Sequence, residues 1–168
     1  MYKTTSCHYQ IVIKQMISKK VFKNGIMTLS NVLTKNECKN LIAKGEQIGF
    51  FEASVRTNNG QQMLKSIRNN ERIMFSDTEL ADDLFKRINP YLDEFKVSNN
   101  SPVCLNDYFR IYKYNKGQRF NQHKDGQEKI DNMIRNVSVL FYLNDDFTGG
   151  STSFYEYTRN DGKMQHNK

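Results

Sequence analysis

The sequence predicts an α+β fold, with helices in the first half of the chain and β-structure in the second. Two stretches of the first half carry helix-start signals followed by apolar residues at helical spacing. After residue 100, apolar and polar residues alternate, which is typical of strands. A chain of 168 residues can bury one hydrophobic core, so we expect one domain whose helical part leads into a sheet or barrel.

The first predicted helix follows a short strand at 26–29. Thr34 and Glu37 have the spacing of a capping box, in which each side chain bonds the other residue's backbone N–H. The helix is expected to end near Gly49. One apolar face is formed by Cys38, Leu41, Ile42 and Ile48.

The second predicted helix begins at Ser76, which forms a capping box with Glu79. Pro90 is expected to kink this helix or to split it in two, because proline removes a backbone donor. Between the two helices, residues 56–74 are polar and basic, and we predict a loop there. The apolar positions of the second helix are Leu80, Leu84, Ile88, Tyr91, Leu92 and Phe95.

The β-half contains three strand signals. Residues 108–115 alternate, with Phe109, Ile111 and Lys113 on one face of the predicted strand and Arg110, Tyr112 and Tyr114 on the other. Residues 137–145 ("VSVLFYLND") are nearly all apolar, which predicts a buried strand. The Gly149–Gly150 pair predicts a turn that enters a further strand.

The composition bounds location and partners. The formal net charge of +7 is compatible with a nucleic-acid or acidic partner, but the basic residues are scattered, which favours a generally basic surface. The three cysteines form no CxxC pair, which favours a reducing compartment. No apolar run has the length of a signal peptide or a membrane span, so we predict a cytoplasmic protein without a membrane partner.

His123 and Asp125 form the candidate metal site. Residues i and i+2 of an extended segment point to the same face, so imidazole and carboxylate would converge. Non-haem Fe(II) oxygenases use two histidines and one carboxylate on one face of the metal. Alone, a His-x-Asp pair is a weak signal, since a solvated strand end has the same pattern.

The flanking residues strengthen that signal. The stretches "RIYKYNKGQRFNQHKDG" and "RNVSVLFYLNDDFTGGSTSFY" resemble the prolyl 4-hydroxylase-like branch of the Fe(II)/2-oxoglutarate-dependent dioxygenases. The resemblance covers roughly 26–157, with 1–25 as an N-terminal arm and 158–168 as a polar C-terminal tail. The matching positions are Arg110, Tyr112, Tyr114, Gly117, Phe120, His123, Asp125, Arg135, Tyr142, Leu143, Asn144, Gly149, Gly150, Thr152 and Phe154.

The resemblance implies a fold, a chemistry and a site. The fold is a double-stranded β-helix, a cupin-like jelly roll with N-terminal helices packed on one sheet. The chemistry is hydroxylation of an unactivated C–H bond, with a protein or peptide side chain such as proline as the substrate. Its cofactors are Fe(II), 2-oxoglutarate as co-substrate, and ascorbate as a further candidate. His123 and Asp125 become catalytic metal ligands, and Tyr114 and Tyr142 become co-substrate contacts, although packing is an equal alternative for each tyrosine.

The end of the chain departs from the family pattern. The family has a second histidine on a later apolar strand, followed by an Arg or Lys that binds the co-substrate carboxylate. His166 is the remaining candidate for the third ligand, but its polar surroundings favour a tail residue, and only Asn167 and Lys168 follow. The chain therefore resembles a dioxygenase domain lacking its last strands, with exposed sheet edges.

Three functions follow as alternatives. The first is the dioxygenase, the second is a truncated, non-catalytic jelly-roll scaffold that binds a partner, and the third is an oxygenase that acts on nucleic acid. The polar middle stretch is open to two interpretations, a substrate-recruiting surface or a solvated loop, of which the loop is favoured. Its basic residues are Arg56, Lys65, Arg68 and Arg72.

Overall fold

A computed structural model describes most of the chain. The described residues are 16–23, 25–57, 59–93, 95–96, 99–126, 128–130, 133–135, 137–160 and 163–167. They form two helices and several short antiparallel strands, so the predicted α+β class is confirmed. Across the described ranges, the strands form one three-stranded sheet and four two-stranded ladders, a pairing that does not establish a double-stranded β-helix.

The helices and strands of the described chain lie between Ser18 and Asn167. The helices are α1 (Lys35–Ile48) and α2 (Thr78–Ile88), and a 3-10 turn (Asn89–Tyr91) follows α2. The strands are β1 (Ser18–Val21), β2 (Met27–Ser30), β3 (Phe51–Glu52), β4 (Val55–Thr57), β5 (Gly60–Gln62), β6 (Glu71–Ser76), β7 (Tyr108–Lys113), β8 (Glu128–Ile130), β9 (Met133–Arg135), β10 (Glu156–Asn160) and β11 (Lys163–Asn167).

The three-stranded sheet, in the order β3-β6-β7, is the centre of the fold. Ile73 of β6 is paired with Ile111 of β7, and it is fully buried. Side chains of β7 alternate between half-buried and exposed positions, as predicted for 108–115. The buried apolar side chains of the described residues are Ala53, Ile73, Ala81, Leu84, Ile88 and Leu92.

Helix α1 packs on one face of this sheet. The Lys44 ammonium lies 4.1 Å from the centre of the Phe75 ring, and Glu46 forms an ion pair of 2.8 Å with Lys113. The predicted start is confirmed, since Thr34 and Glu37 form both hydrogen bonds of the capping box. These contacts leave the opposite face of β6 and β7 uncovered by α1.

Helix α2 begins one residue later than predicted. Ser76 is the last residue of β6, where it pairs with Tyr108, so it is not available as a cap. Asp77 takes that place, and its carboxylate accepts the backbone N–H of Leu80. The predicted effect of Pro90 is confirmed, because α2 ends at Ile88 and the chain continues as the 3-10 turn.

The loop predicted for 56–74 is wrong in part. Strands β4 and β5 form a hairpin there, and β6 begins at Glu71. The hairpin turns at Gly60, whose φ of 91° is in the left-handed region that favours glycine. Polar and basic residues on the uncovered face of β6 hide its apolar alternation from sequence reading.

The buried strand predicted for 137–145 is also wrong. Residues 137–146 belong to no ladder of the described chain, and Leu140 and Tyr142 are 58% and 59% exposed. An apolar run is buried only when another strand or helix covers it, and no described element pairs with this one. Further on, the polar segment 158–168, assigned as a tail, contains the last three residues of β10 and all of β11, which pair as an antiparallel hairpin.

Candidate metal site and arginine face

His123 and Asp125 lie close together, in a stretch after β7 that belongs to no ladder. His123 Nε2 is 3.4 Å from Asp125 Oδ1. Two ligands at right angles on a metal with bonds of about 2.1 Å are separated by about 3.0 Å. The two atoms are therefore placed so that a small movement would let both bind one divalent ion.

A hydrogen bond orients each of the two side chains. His123 Nδ1 lies 2.8 Å from the backbone oxygen of Asn121, which requires a proton on Nδ1 and leaves Nε2 as the nitrogen nearer Asp125. The Ser138 hydroxyl donates to Asp125 Oδ2, which leaves Oδ1 toward His123. Metal ligands in proteins commonly have such outer partners, because these fix tautomer and orientation.

The pair is open to solvent, and a third ligand is not part of the described site. The side chains of His123 and Asp125 are 42% and 64% exposed. Among the described residues, no group of three or more His, Cys, Asp or Glu side chains could hold a metal. The pair thus fits two coordination positions, and other positions would be filled by solvent or by groups outside the described residues.

The candidate third ligand, His166, lies on β11. Its backbone pairs with Tyr157 of β10, while its side chain lies outside what the structure describes. The assignment of His166 as a ligand therefore stays a prediction. The same holds for the role of 158–168 as a tail.

An aromatic stack joins His123 to the central sheet. The Phe120 ring stacks on the His123 imidazole, with 3.8 Å between the ring centres. Phe120 also forms an isolated antiparallel backbone bridge with Arg68. The guanidinium carbon of Arg68 lies 4.1 Å from the centre of the Phe120 ring. The same guanidinium lies 4.4 Å from the ring centre of Tyr112 on β7. His123 and Asp125 therefore lie next to the face of the sheet that α1 leaves uncovered.

We call this uncovered side of β6 and β7 the arginine face. Cross-strand pairing places Arg72 opposite Tyr112, Met74 opposite Arg110, and Ser76 opposite Tyr108. Arg110 also lies over the Tyr108 ring, at 5.2 Å from its centre. The arginine face consists of Arg68, Arg72, Met74, Tyr108, Arg110, Tyr112 and Tyr114.

Both predicted co-substrate tyrosines are half-exposed. Burial raises the pKa of Tyr114, and the neighbouring Arg68 charge opposes that rise. Tyr142 exchanges a hydrogen bond with the Thr152 hydroxyl. Tyr114 is therefore near Arg68, which contacts Phe120 beside His123. Tyr142 is oriented by its hydrogen bond to Thr152.

Sequence reasoning missed three contributors to the site. Asn121 and Ser138 act through a backbone oxygen and a hydroxyl, which are too common in sequence to give a signal. Arg68 lies in the stretch 56–74, which the sequence predicts as a loop, and it is one of four basic residues there.

The fold and the site together define an α+β protein with a His–Asp pair beside an open sheet face of arginines and tyrosines. Comparison of the chain with protein-family models, curated proteins and solved structures finds no match. The family resemblance is therefore carried by the sequence motifs alone. In the described chain, no helix has both the length and the apolar character needed to cross a membrane.

Proposed function

We propose that the chain is an Fe(II)- and 2-oxoglutarate-dependent dioxygenase that hydroxylates an unactivated C–H bond, with a protein side chain such as proline as its substrate. The observation that carries this proposal is the 3.4 Å approach of His123 Nε2 to Asp125 Oδ1, with each side chain oriented by a second hydrogen bond. Such an iron site uses two histidines and one carboxylate, of which His123 and Asp125 would supply two.

The protein's own residues would divide the work. His123 and Asp125 would hold the metal, and Asn121 and Ser138 would keep their donor atoms aimed at it. Tyr114 would orient the co-substrate through its hydroxyl, and Tyr142 would contribute from 137–146. When bound, Fe(II) supplies the redox chemistry that couples oxidation of 2-oxoglutarate to hydroxylation.

Metal binding is the first test. We expect His123→Ala or Asp125→Ala to abolish binding of Fe(II) or Mn(II), measured anaerobically by calorimetry, because each removes one of the two proposed ligands. Asp82→Ala, at an exposed position of α2, is the matched carboxylate control and should bind as the parent chain does. His166→Ala should leave binding nearly unchanged. Equal loss from all three histidine and aspartate variants of the predicted triad would show that His166 is a ligand.

Turnover is the second test. The Fe(II)-loaded chain should release succinate from 2-oxoglutarate, and a proline-containing peptide should accelerate that release. The His123→Ala chain should release none. Metal binding without succinate release by the parent chain would refute the enzyme and leave a binding protein.

One observation favours a non-catalytic scaffold as the second candidate. The described pair is open to water, and the apolar run 137–146 has no described strand beside it, so its side chains could contact a partner. A scaffold of this kind would bind its partner equally well after Asp125→Ala. Loss of partner binding in that variant would argue for the enzyme.

A further inference from the structure

The open side of β7 is lined by aromatic and basic side chains. Tyr108, Arg110 and Tyr112 stand at every second residue of the strand, and Tyr114 continues the row directly after it. All four are exposed, with the three tyrosines at 40%, 36% and 49%, whereas the residues between them are half-buried. Alternate residues of a strand point to one face, so these side chains offer a partner several flat rings with a cation among them.

The three strands of the sheet give this face positive charge and no carboxylate. Cross-strand pairing brings Arg72 of β6 to the same side as Arg110 of β7. The acidic residues of β3, β6 and β7 are Glu52 and Glu71, which pair with each other. They belong to the other side, because Glu71 is opposite Lys113, which forms an ion pair with α1. A polyanion would therefore be attracted to the open side without opposition from these strands.

Ring contacts hold the cations of this face in place. The guanidinium carbon of Arg110 lies 5.2 Å from the centre of the Tyr108 ring. Arg68 is only 5% exposed and packs against Tyr112 at 4.4 Å, so it supports that ring and does not itself contact a partner. Burial lowers the pKa of Arg72, and the neighbouring charges of Arg68 and Arg110 lower it further. The three guanidinium groups thus repel one another, and a bound polyanion would relieve that repulsion.

Rings and guanidinium groups in one row match the chemistry of single-stranded nucleic acid. Its unpaired bases have free flat faces that stack on aromatic side chains, and its phosphates bind arginine. Duplex DNA keeps the faces of its bases inside the stack, so it would use the charges alone. An acidic peptide would likewise leave the tyrosine rings without a flat partner. Single strands therefore use more of this surface than either alternative does.

We propose that the arginine face binds a segment of single-stranded nucleic acid. Tyr108 and Tyr112 stack on bases, Arg110 contacts phosphate, and Arg72 adds to the positive potential. The basic residues are scattered along the sequence, and it is the pairing of β6 with β7 that brings these two arginines together. This binding goes beyond the proposed hydroxylation and does not require a bound metal.

The test measures the fluorescence anisotropy of labelled poly-dT of about 12 nucleotides, a length within the usual site sizes of single-strand-binding folds. EDTA keeps the chain free of metal. The variants are Tyr112→Leu, Tyr112→Phe, Tyr108→Leu and Arg110→Gln. Lys86→Gln is the matched charge control, because Lys86 is an exposed cation on α2. Circular dichroism of each variant establishes that it is folded.

We expect Tyr112→Leu to weaken binding by at least about fivefold and Tyr112→Phe to bind within about twofold of the parent chain, because stacking needs the ring and not the hydroxyl. Tyr108→Leu carries the same expectation and remains informative if Tyr112→Leu does not fold. Arg110→Gln should reduce the slope of log affinity against log salt by about 0.7, which corresponds to one phosphate contact with a single strand. Lys86→Gln should leave that slope unchanged.

Three outcomes would overturn the proposal. If Lys86→Gln weakens binding as much as Arg110→Gln does, net charge is the cause and the face is not the site. If both leucine variants bind as the parent chain does, no base stacks on the tyrosines. If polyglutamate competes equally at the same charge concentration, or a duplex of the same length binds more tightly than the single strand, the partner is an acidic protein or duplex DNA instead.

Discussion

Ser138 lies 13 residues beyond Asp125, yet its hydroxyl donates a hydrogen bond to the outer oxygen of that carboxylate. This hydrogen bond connects the segment 137–146 to the His123–Asp125 pair. Because Ser138 donates to Oδ2, it holds the Asp125 carboxylate with Oδ1 toward His123. At the scale of single residues, the Ser138 hydroxyl orients the Asp125 carboxylate although serine is too common in sequence to signal such a role.

We predict that Ser138→Ala lowers metal affinity by about tenfold, because outer partners of metal ligands typically contribute about 10- to 100-fold. The measurement is calorimetric titration with Mn(II). Ser101→Ala is the control, since Ser101 is an exposed serine outside the described site. An unchanged affinity in Ser138→Ala would show that Asp125 is oriented without its help.

The sequence predicts the pair at this scale but not its supports. His123 and Asp125 are two residues apart, so local backbone geometry is enough to bring them to one side. Arg68 and Ser138 reach the site only through the folded chain, across separations that no local pattern encodes. Prediction from sequence therefore ends where the contacts become long-range.

At the scale of elements, the start of α2 depends on where β6 ends. Ser76 is committed to the ladder with β7, and Asp77 both caps the helix and forms an ion pair of 2.9 Å with Lys44 of α1. The carboxylate accepts these bonds in its charged form, so the Lys44 hydrogen bond and the Leu80 N–H lower the pKa of Asp77. One side chain thus joins a strand end, a helix start and the neighbouring helix.

We expect Asp77→Ala to reduce the free energy of unfolding by about 1–2 kcal/mol, the usual effect of losing an N-cap. Ser76→Ala, one residue earlier, should change it by less than about 0.5 kcal/mol. Urea unfolding monitored by circular dichroism compares the two. A larger loss from Ser76→Ala would restore the capping box that the sequence predicts.

Helices α1 and α2 are held together by Arg87. Its guanidinium donates to Glu37 at 2.7 Å and to the backbone oxygen of Val32 at 3.0 Å, and it also contacts Asp83. The hydrogen bond from Arg87 is the largest cause that lowers the pKa of Glu37 from 4.5 to about 2. Glu37 therefore stabilises the fold above pH 4.5, and this contribution is lost as the pH falls toward 2.

We predict that the thermal unfolding midpoint of the parent chain falls between pH 4.5 and pH 2, and that Glu37→Gln makes this fall shallower. The neutral amide cannot be protonated in that range, so its contribution stays constant. Scanning calorimetry across the range measures both chains, with Asp82→Asn as the control on the exposed side of α2. Parallel slopes for Glu37→Gln and the parent chain would contradict the assignment.

Elements were predictable where their signals are local. The capping box of α1 and the effect of Pro90 depend on residues within one helical turn, and both predictions are confirmed. Strand β6 was missed because Arg72 and Glu71 break its apolar pattern. The run 137–145 misled in the opposite way, since apolar composition predicts burial only when a covering partner exists.

At the scale of the whole molecule, apolar residues contribute unequally to the free energy of unfolding. Ile73 is fully buried on the side of β6 that faces α1, so Ile73→Ala should lower the free energy of unfolding by about 2–5 kcal/mol. Leu140 is 58% exposed, so Leu140→Lys should cost less than about 0.5 kcal/mol. Chemical denaturation of both variants is the measurement, and a large loss from Leu140→Lys would show that 137–146 is covered in solution.

The arginine face also governs how the chain responds to denaturant. Because α1 covers only one side of the β3-β6-β7 sheet, much of the other side is wet before unfolding starts. The slope of unfolding free energy against urea scales with newly exposed surface, so this chain should unfold over a broader urea range than other domains of its length.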